Sequence, residues 1–163
     1  MPELHPLHAR HAAAVLDFEV VNRAWFAASI SDRGDDYFAE FDRRYAGLLA
    51  EQEAGICAFY LLVDDDGAVL GRFNLVNIAD GTAELGYRVA QRVAGRGVAT
   101  RAVRDLCGLA AERHGLRTIR AVVSHGNVAS ARVLAKAGFT PVGPAGPEHL
   151  GGRHGTWYRR DLA

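Results

Sequence analysis

Apolar positions along the chain change period several times, and each change marks an element. Residues 3–7 fit a short edge strand whose ladder bonds are limited by Pro2 and Pro6. From residue 8 to about 30 the spacing is helical, with apolar faces supplied by Ala12, Val15, Leu16, Phe18, Val21, Trp25 and Phe26. Ser31-Asp32-Arg33-Gly34 interrupts it. A second helical segment, 36–54, carries Tyr37, Phe38, Phe41, Tyr45, Leu48 and Leu49, and Gly55 suits its C-terminal cap. Residues 56–63 form a near-continuous apolar run, expected of a strand buried on both faces. Asp64-Asp65-Asp66-Gly67 then turns the chain into a strand over 69–78, and Ala79-Asp80-Gly81 turns it again into one over 82–89. The three strands make an antiparallel meander.

A helical run follows from Val98 to His114, capped by Gly115, then a buried strand over 118–123. Asn127 opens a last helix that reaches Ala137 and is closed by Gly138, with Phe139 resuming extended chain. The remainder is turn-rich, with Pro141, Gly143, Pro144, Gly146 and Pro147, before a closing strand over 156–162. No repeat, linker or low-complexity segment breaks the chain. Its 163 residues suit one domain spanning 1–163.

Composition removes several function classes. Formal net charge is zero, so no global field draws the chain to nucleic acid or membrane. No apolar run approaches the roughly 20 residues of a membrane span, and the first residues lack the basic-then-apolar layout of a signal peptide; a cytoplasmic location is expected. Cys57 and Cys107 have no C-x-x-C partner and read as small buried hydrophobes. The three-residue spacing of His5, His8 and His11 matches no metal-ligand pattern, and no metal is implied. His125, His149 and His154 lie near the expected site, where acceptor binding is open to them, but their flanking glycines suggest loop histidines.

The stretch 92–100, Arg-Val-Ala-Gly-Arg-Gly-Val-Ala-Thr, carries the chemistry. A glycine-rich turn between strand and helix leaves backbone N–H groups unpaired at the positive end of the helix dipole, which makes an anion site suited to phosphate. A dinucleotide fingerprint needs a third glycine where Thr100 stands and a βαβ setting in place of hairpins; a Walker loop needs Gly-Lys-Ser/Thr.

Arg92, Gly95 and Gly97 match Arg/Gln-x-x-Gly-x-Gly/Ala, the acetyl-CoA motif of the GNAT superfamily of N-acetyltransferases, which the chain resembles. Glu84-Leu85-Gly86-Tyr87-Arg88-Val89 resembles the strand before that motif. Residues 127–139, opening Asn127-Val-Ala-Ser130, resemble the segment after the family's fifth strand. Within the superfamily the Asn-x-x-Ser form and the turn Glu148-His149-Leu150-Gly151-Gly152 are most similar to the ribosomal-protein alanine N-acetyltransferases.

The resemblance implies an α/β (α+β) GNAT fold, a mixed, mostly antiparallel central sheet flanked by helices. It implies direct acetyl transfer from acetyl-CoA to a primary amine, expected to be a protein or peptide N-terminus. The alternatives are a small amine (drug, polyamine or amino acid) and a non-catalytic acyl-CoA sensor. Dimers are common in the family, so a homodimer is a further expectation. The amides of residues 94–99, Gly95, Gly97, Val98 and Ala99 among them, would hold the pyrophosphate, with the Thr100 hydroxyl in reach and Arg92 or Arg96 adding charge. Gly86, Tyr87, Arg88 and Val89 would pair with the pantetheine arm as an added strand.

Asn127 is both a good N-cap and, by resemblance, a pantetheine partner. Many relatives carry a general-acid tyrosine seven residues after that asparagine. Leu134 stands there in this chain, which shifts the role to Ser130. The attacking amine must first lose a proton, and a nearby carboxylate is the natural base. Glu148 and Glu84 are the candidates, with Glu148 slightly preferred. The aromatic and acidic segment 25–45 would line the acceptor side.

Overall fold

A computed structural model describes residues 1–162. The chain runs β1 (Glu3–Pro6), α1 (Ala12–Val21), α2 (Arg23–Ala27), α3 (Asp35–Ala39), α4 (Phe41–Glu53), β2 (Ala58–Val63), β3 (Val69–Ala79), β4 (Thr82–Val89), α5 (Val98–His114), β5 (Thr118–Ser124), α6 (Val128–Lys136), β6 (Thr140–Ala145) and β7 (Gly155–Asp161). The strands form one sheet in the order β1-β2-β3-β4-β5-β7-β6. Among the described residues only β4 and β5 run parallel; every other neighbouring pair is antiparallel.

Both faces of the sheet are covered. On β2, Ala58, Tyr60 and Leu62 pack with α5 and α6 residues such as Val103, Leu106 and Leu134, while Phe59 and Leu61, and Cys57 just before the strand, pack with Val15, Phe18, Phe41 and Tyr45 of the N-terminal helices. The unbroken apolar run of this strand is thereby explained: a period of two delivers alternate side chains to two cores. The same alternation on β4 sends Ala83 and Leu85 into the α5–α6 core and leaves Glu84, Gly86 and Arg88 on the other face.

The expected edge strand, meander, two C-terminal helices and last strand are present, with two departures. The helical pattern of residues 8–30 is split at Asn22 and that of 36–54 at Glu40, giving four helices after a short 3₁₀ turn, Ala9–His11. His8 and His11 cap that turn reciprocally: the His8 amide donates to His11 Nδ1 (3.1 Å) and the Arg10 amide to His8 Nδ1 (3.1 Å). The stretch expected to be turn-rich contains β6, despite Pro141 and Pro144. β6 is an edge strand, where a missing N–H costs no ladder bond on the solvent side. The last strand expected, over 156–162, is β7, and it is inserted between β5 and β6.

Gly155 marks the tightest approach in this half of the sheet. A Cβ there would run into the Val123 carbonyl and Leu150. Gly155→Ala is expected to destabilise the protein by about 2 kcal/mol and lower Tm by roughly 4–8 °C, read by thermal unfolding.

Candidate functional site

The parallel pairing of β4 and β5 lasts three residues, Thr82↔Thr118, Ala83↔Ile119 and Glu84↔Arg120, and then the strands part. Backbone groups of β4 beyond Glu84 therefore have no ladder partner on that side, which leaves an edge inside the protein. Two adjoining cavities open at the parting. They share Ser29, Ile30, Tyr87, Arg88, Asn127 and Ser130.

The first cavity, about 440 Å³, runs from β4 (Tyr87, Arg88, Val89) to the glycine turn and the start of α5. A 3₁₀ turn, Gln91–Val93, leads into it, and the Ala94 amide is spent there on the Gln91 carbonyl (3.1 Å). The unpaired run is thus shorter at its start than the sequence suggests. Among the described residues, no hydrogen bond is donated by the amides of residues 95–100. Gly95 (φ +74°) and Gly97 (φ +76°) hold left-handed backbone, and a Cβ at either would meet nothing within 4 Å. Space in front of the turn is open, and Val98, Ala99 and Thr100 line it together with the two glycines.

Of the two arginines expected to add charge, neither lines this cavity. Arg92 borders a separate recess with Gln91 and Asp17, and Arg96 borders a neighbouring one with Arg101, Arg104 and Lys136. The cations that do line it are Arg88, Arg132 and Lys136. The last two come from α6, one helical turn apart, and were not singled out in the sequence.

Asn127 caps α6, its side chain accepting from the Ser130 amide at 3.2 Å. The Ser130 hydroxyl lies 2.9 Å from the Tyr87 hydroxyl. Tyr87 stacks on Phe73 with ring centroids 5.5 Å apart. Burial pushes the Tyr87 phenol up, against a smaller opposing effect of the Ser130 hydrogen bond, so it stays protonated at neutral pH. Leu134 is fully buried in the core. A hydroxyl pair supplied by β4 and α6 therefore stands at the junction of the cavities.

The second cavity, about 480 Å³, follows the parting strands between β4 and residues 121–124 of β5. Neither Glu84 nor Glu148 lines it. Glu84 sits where β4 and β5 still pair, facing Arg120 in register. Glu148 is largely exposed in a 3₁₀ turn, Pro147–His149, but the adjoining His149 and Leu150 do line the cavity. The Glu148 carboxylate is 3.4 Å from His149 Nε2, and the His149 ring meets Trp157 edge-on at 5.0 Å. Segment 25–45 reaches the cavities through Trp25, Phe26, Ser29, Ile30, Ser31 and Arg33. Its acids do not: Asp32 and Asp35 are held by Arg23 at 2.8 and 2.9 Å.

Two buried polar anchors carry no local sequence motif. Asn22, at the break between α1 and α2, donates to the Phe18 carbonyl (2.9 Å) and accepts from the Gln91 amide (3.0 Å), so it ties the helix to the turn that precedes the glycines. Glu19, 1% exposed, accepts from Arg33 (2.8 Å), Arg72 (2.7 Å) and Arg88 (3.3 Å). Arg72 and Arg88 face each other across β3 and β4, a like-charge pair that repels unless an anion lies between. Burial works against the Glu19 carboxylate, but the Arg33 hydrogen bond and the three positive charges outweigh it and hold its pKa below the usual range. The signal was present as single charges within apolar runs: Glu19 beside Phe18 and Val20, Arg72 beside Phe73.

An open run of amides at a helix start, next to an unpaired strand edge, suits a ligand with phosphates at one end and an amide-rich arm at the other. Comparison with known proteins agrees. The acetyltransferase (GNAT) domain family matches residues 3–140. The probable N-acetyltransferase YjcK of Bacillus subtilis is 31% identical over 150 residues, covering 87% of this chain and 82% of that protein. Ribosomal-protein-S5-alanine acetyltransferase from Vibrio fischeri has the same fold, with a TM-score of 0.90 at 20% identity over 99% of this chain and 93% of that one. RimJ from Mycobacterium smegmatis, solved in complex with CoA-disulfide, gives 0.85 at 25% identity over 97% and 80%. Spermidine N-acetyltransferase from Vibrio cholerae, solved with CoA and spermine, shares the fold too (0.80, 17% identity, 99% and 95%). The chain belongs to the GNAT acetyltransferase family.

Proposed function

We propose that this chain, as one domain over residues 1–163, moves an acetyl group from acetyl-CoA to the N-terminal amine of a protein or peptide by direct attack. The observation that carries this reading is that Gly95, Gly97, Val98, Ala99 and Thr100, whose amides are unpaired, line one cavity with the Tyr87–Ser130 hydroxyl pair, and a second cavity opens at that pair.

Acetyl-CoA supplies the acetyl group as a thioester. The amides of residues 95–100 bind its diphosphate at the positive end of α5, with the Thr100 hydroxyl beside them. Arg132 and Lys136 add charge from α6, and Arg96, with Arg101 and Arg104, meets the 3′-phosphate outside. The free edge of β4 at Tyr87, Arg88 and Val89 takes the pantetheine amides as strand partners, and Asn127 adds a side-chain contact. Ser130, supported by the Tyr87 phenol, gives a proton to the departing thiolate.

The amine enters from the second cavity. A neutral imidazole accepts a proton, and His149 is the imidazole lining that cavity, with the Glu148 carboxylate placed to stabilise it once charged. Glu148 therefore acts through His149. Both Glu148→Gln and His149→Ala are expected to lower kcat by roughly 10²-fold while sparing coenzyme affinity, measured by thiol release and calorimetry. Full activity in both would pass the role to Glu84.

The reading as a whole is tested by supplying acetyl-CoA with peptides beginning in alanine, serine and methionine, with polyamines and with free amino acids, and titrating released thiol. Release with a peptide is the expected result. Tight coenzyme binding with no release from any amine would mean an acyl-CoA sensor. A small amine is the second reading, favoured by the fold shared with a spermidine enzyme.

A further inference from the structure

Among the described residues, the charged side chains lining the second cavity are Arg33, Arg88 and Arg153, His149 lines it too, and no aspartate or glutamate does. Arg153 is held to the Ser29 carbonyl. Arg33 and Arg88 belong to the buried cluster in which one carboxylate, Glu19, serves three guanidiniums. That cluster carries two uncompensated positive charges. Arg72 is buried away from solvent, 4% exposed, while Arg88 and Arg33 retain 17% and 27%.

The hydrogen bonds of the two guanidiniums leave donors over. A guanidinium has five N–H donors. Arg88 uses one nitrogen, Nη1, toward Glu19, and Arg33 uses Nε and Nη2. Among the described residues no fully buried side-chain nitrogen lacks a partner, so the unpaired nitrogens of Arg33 and Arg88 are accessible. Both groups are also fixed in place, Arg88 over the Phe26 ring at 4.6 Å and Arg33 over Tyr37 at 4.8 Å. Burial, and next the charge of Arg33, pull the Arg88 pKa down to about 10, as expected of a cation short of counter-charge, yet leave it charged at neutral pH.

We infer that the acceptor amine belongs to a molecule carrying a carboxylate close to that amine, and that Arg33 and Arg88 bind this carboxylate in the second cavity. Preformed, partly desolvated guanidiniums recognise carboxylates through charge-assisted bonds. The same field repels a polycation such as a polyamine. The carboxylate comes from an acidic side chain next to a peptide N-terminus or from the α-carboxylate of a free amino acid. The inference rests on the acetyl-transfer reading for the identity of the amine, but its test reads binding and needs no turnover.

Calorimetry on the protein saturated with coenzyme A measures the affinity of Ala-Glu-Glu amide, Ala-Gln-Gln amide, Ala-Lys-Lys amide, spermidine, alanine and alanine amide. The expected order places Ala-Glu-Glu amide at least about tenfold below Ala-Gln-Gln amide in Kd, with the lysine peptide and spermidine weakest. Alanine binding at least tenfold tighter than alanine amide, and as tightly as the acidic peptide, supports the free amino acid as source. Equal affinity for acidic and neutral peptides together with equal affinity for alanine and its amide, or tighter binding of spermidine, overturns the inference. Arg33→Gln should erase the acidic preference and leave coenzyme affinity intact; a preference kept in that variant would also overturn it. The wild-type series stands without any variant. Absence of thiol release with a retained acidic preference would sink the transferase reading alone.

Discussion

Gly97→Val should cost the protein at least about 100-fold in acetyl-CoA affinity while leaving it folded. Gly97 is the N-cap of α5 and sits at φ +76°, ψ +3°, left-handed backbone that a β-branched residue adopts only under strain. The strain is of order 1–3 kcal/mol, and relieving it rotates the peptide planes of the turn. Those planes carry the unpaired amides. Nothing lies within 4 Å of a Cβ built at Gly97, so the new side chain projects into the open space of the cavity without meeting the core. Binding and folding are thereby separated: circular dichroism should show a folded protein, and calorimetry should show the loss. Unchanged affinity would contradict the phosphate cradle. Gly97→Ala, with less bulk on the same strained backbone, should fall between the two.

Removing the charge of Glu19 should destabilise the protein by about 3–5 kcal/mol, the range for stripping one partner from a buried ion cluster. Glu19→Gln keeps the volume of the side chain but leaves Arg33, Arg72 and Arg88 without an anion, and the Arg72–Arg88 cross-strand repulsion returns. Urea unfolding should record the drop. Adding Arg72→Met should recover part of it, because an apolar side chain of similar length replaces the most buried of the three cations. A Glu19→Gln protein as stable as the wild type would show that the cluster does not hold α1 to the sheet. The same carboxylate makes a pH prediction. Its folded pKa is depressed, so its contribution is complete above the ordinary carboxylate value of about 4.3 and is lost as pH falls through the lower folded value. Glu19→Gln should remove that part of the acid sensitivity.

What could be seen in advance followed the range of the interactions. Gly95, Gly97 and Thr100 announce the cradle because an anion turn is built from consecutive residues. Asn127 announces its cap for the same reason, since its partner is Ser130. β2 was legible because its two cores make every position apolar. The break at Asn22 was not, because both helices bury apolar faces and the change of phase between them takes one residue. β6 was hidden by prolines that only an edge position allows. Ser130 was readable as a hydroxyl, but its partner Tyr87 is 43 residues away, and Glu19 meets Arg72 and Arg88 across separations of 53 and 69. No local pattern encodes such pairs. The choice of base suffers likewise: the two glutamates are visible in the sequence, whereas the contact of Glu148 with a cavity-lining histidine is a property of the fold.

The central claim is that backbone N–H groups at the start of α5 hold the diphosphate of a thioester carrier whose acetyl end reaches the Tyr87–Ser130 pair. A crystal structure with acetyl-CoA bound tests it most directly. The account predicts diphosphate oxygens within about 3 Å of amides of residues 95–100 and the thioester at the parting of β4 and β5. A coenzyme seated elsewhere on the protein, with those amides left free, would contradict it.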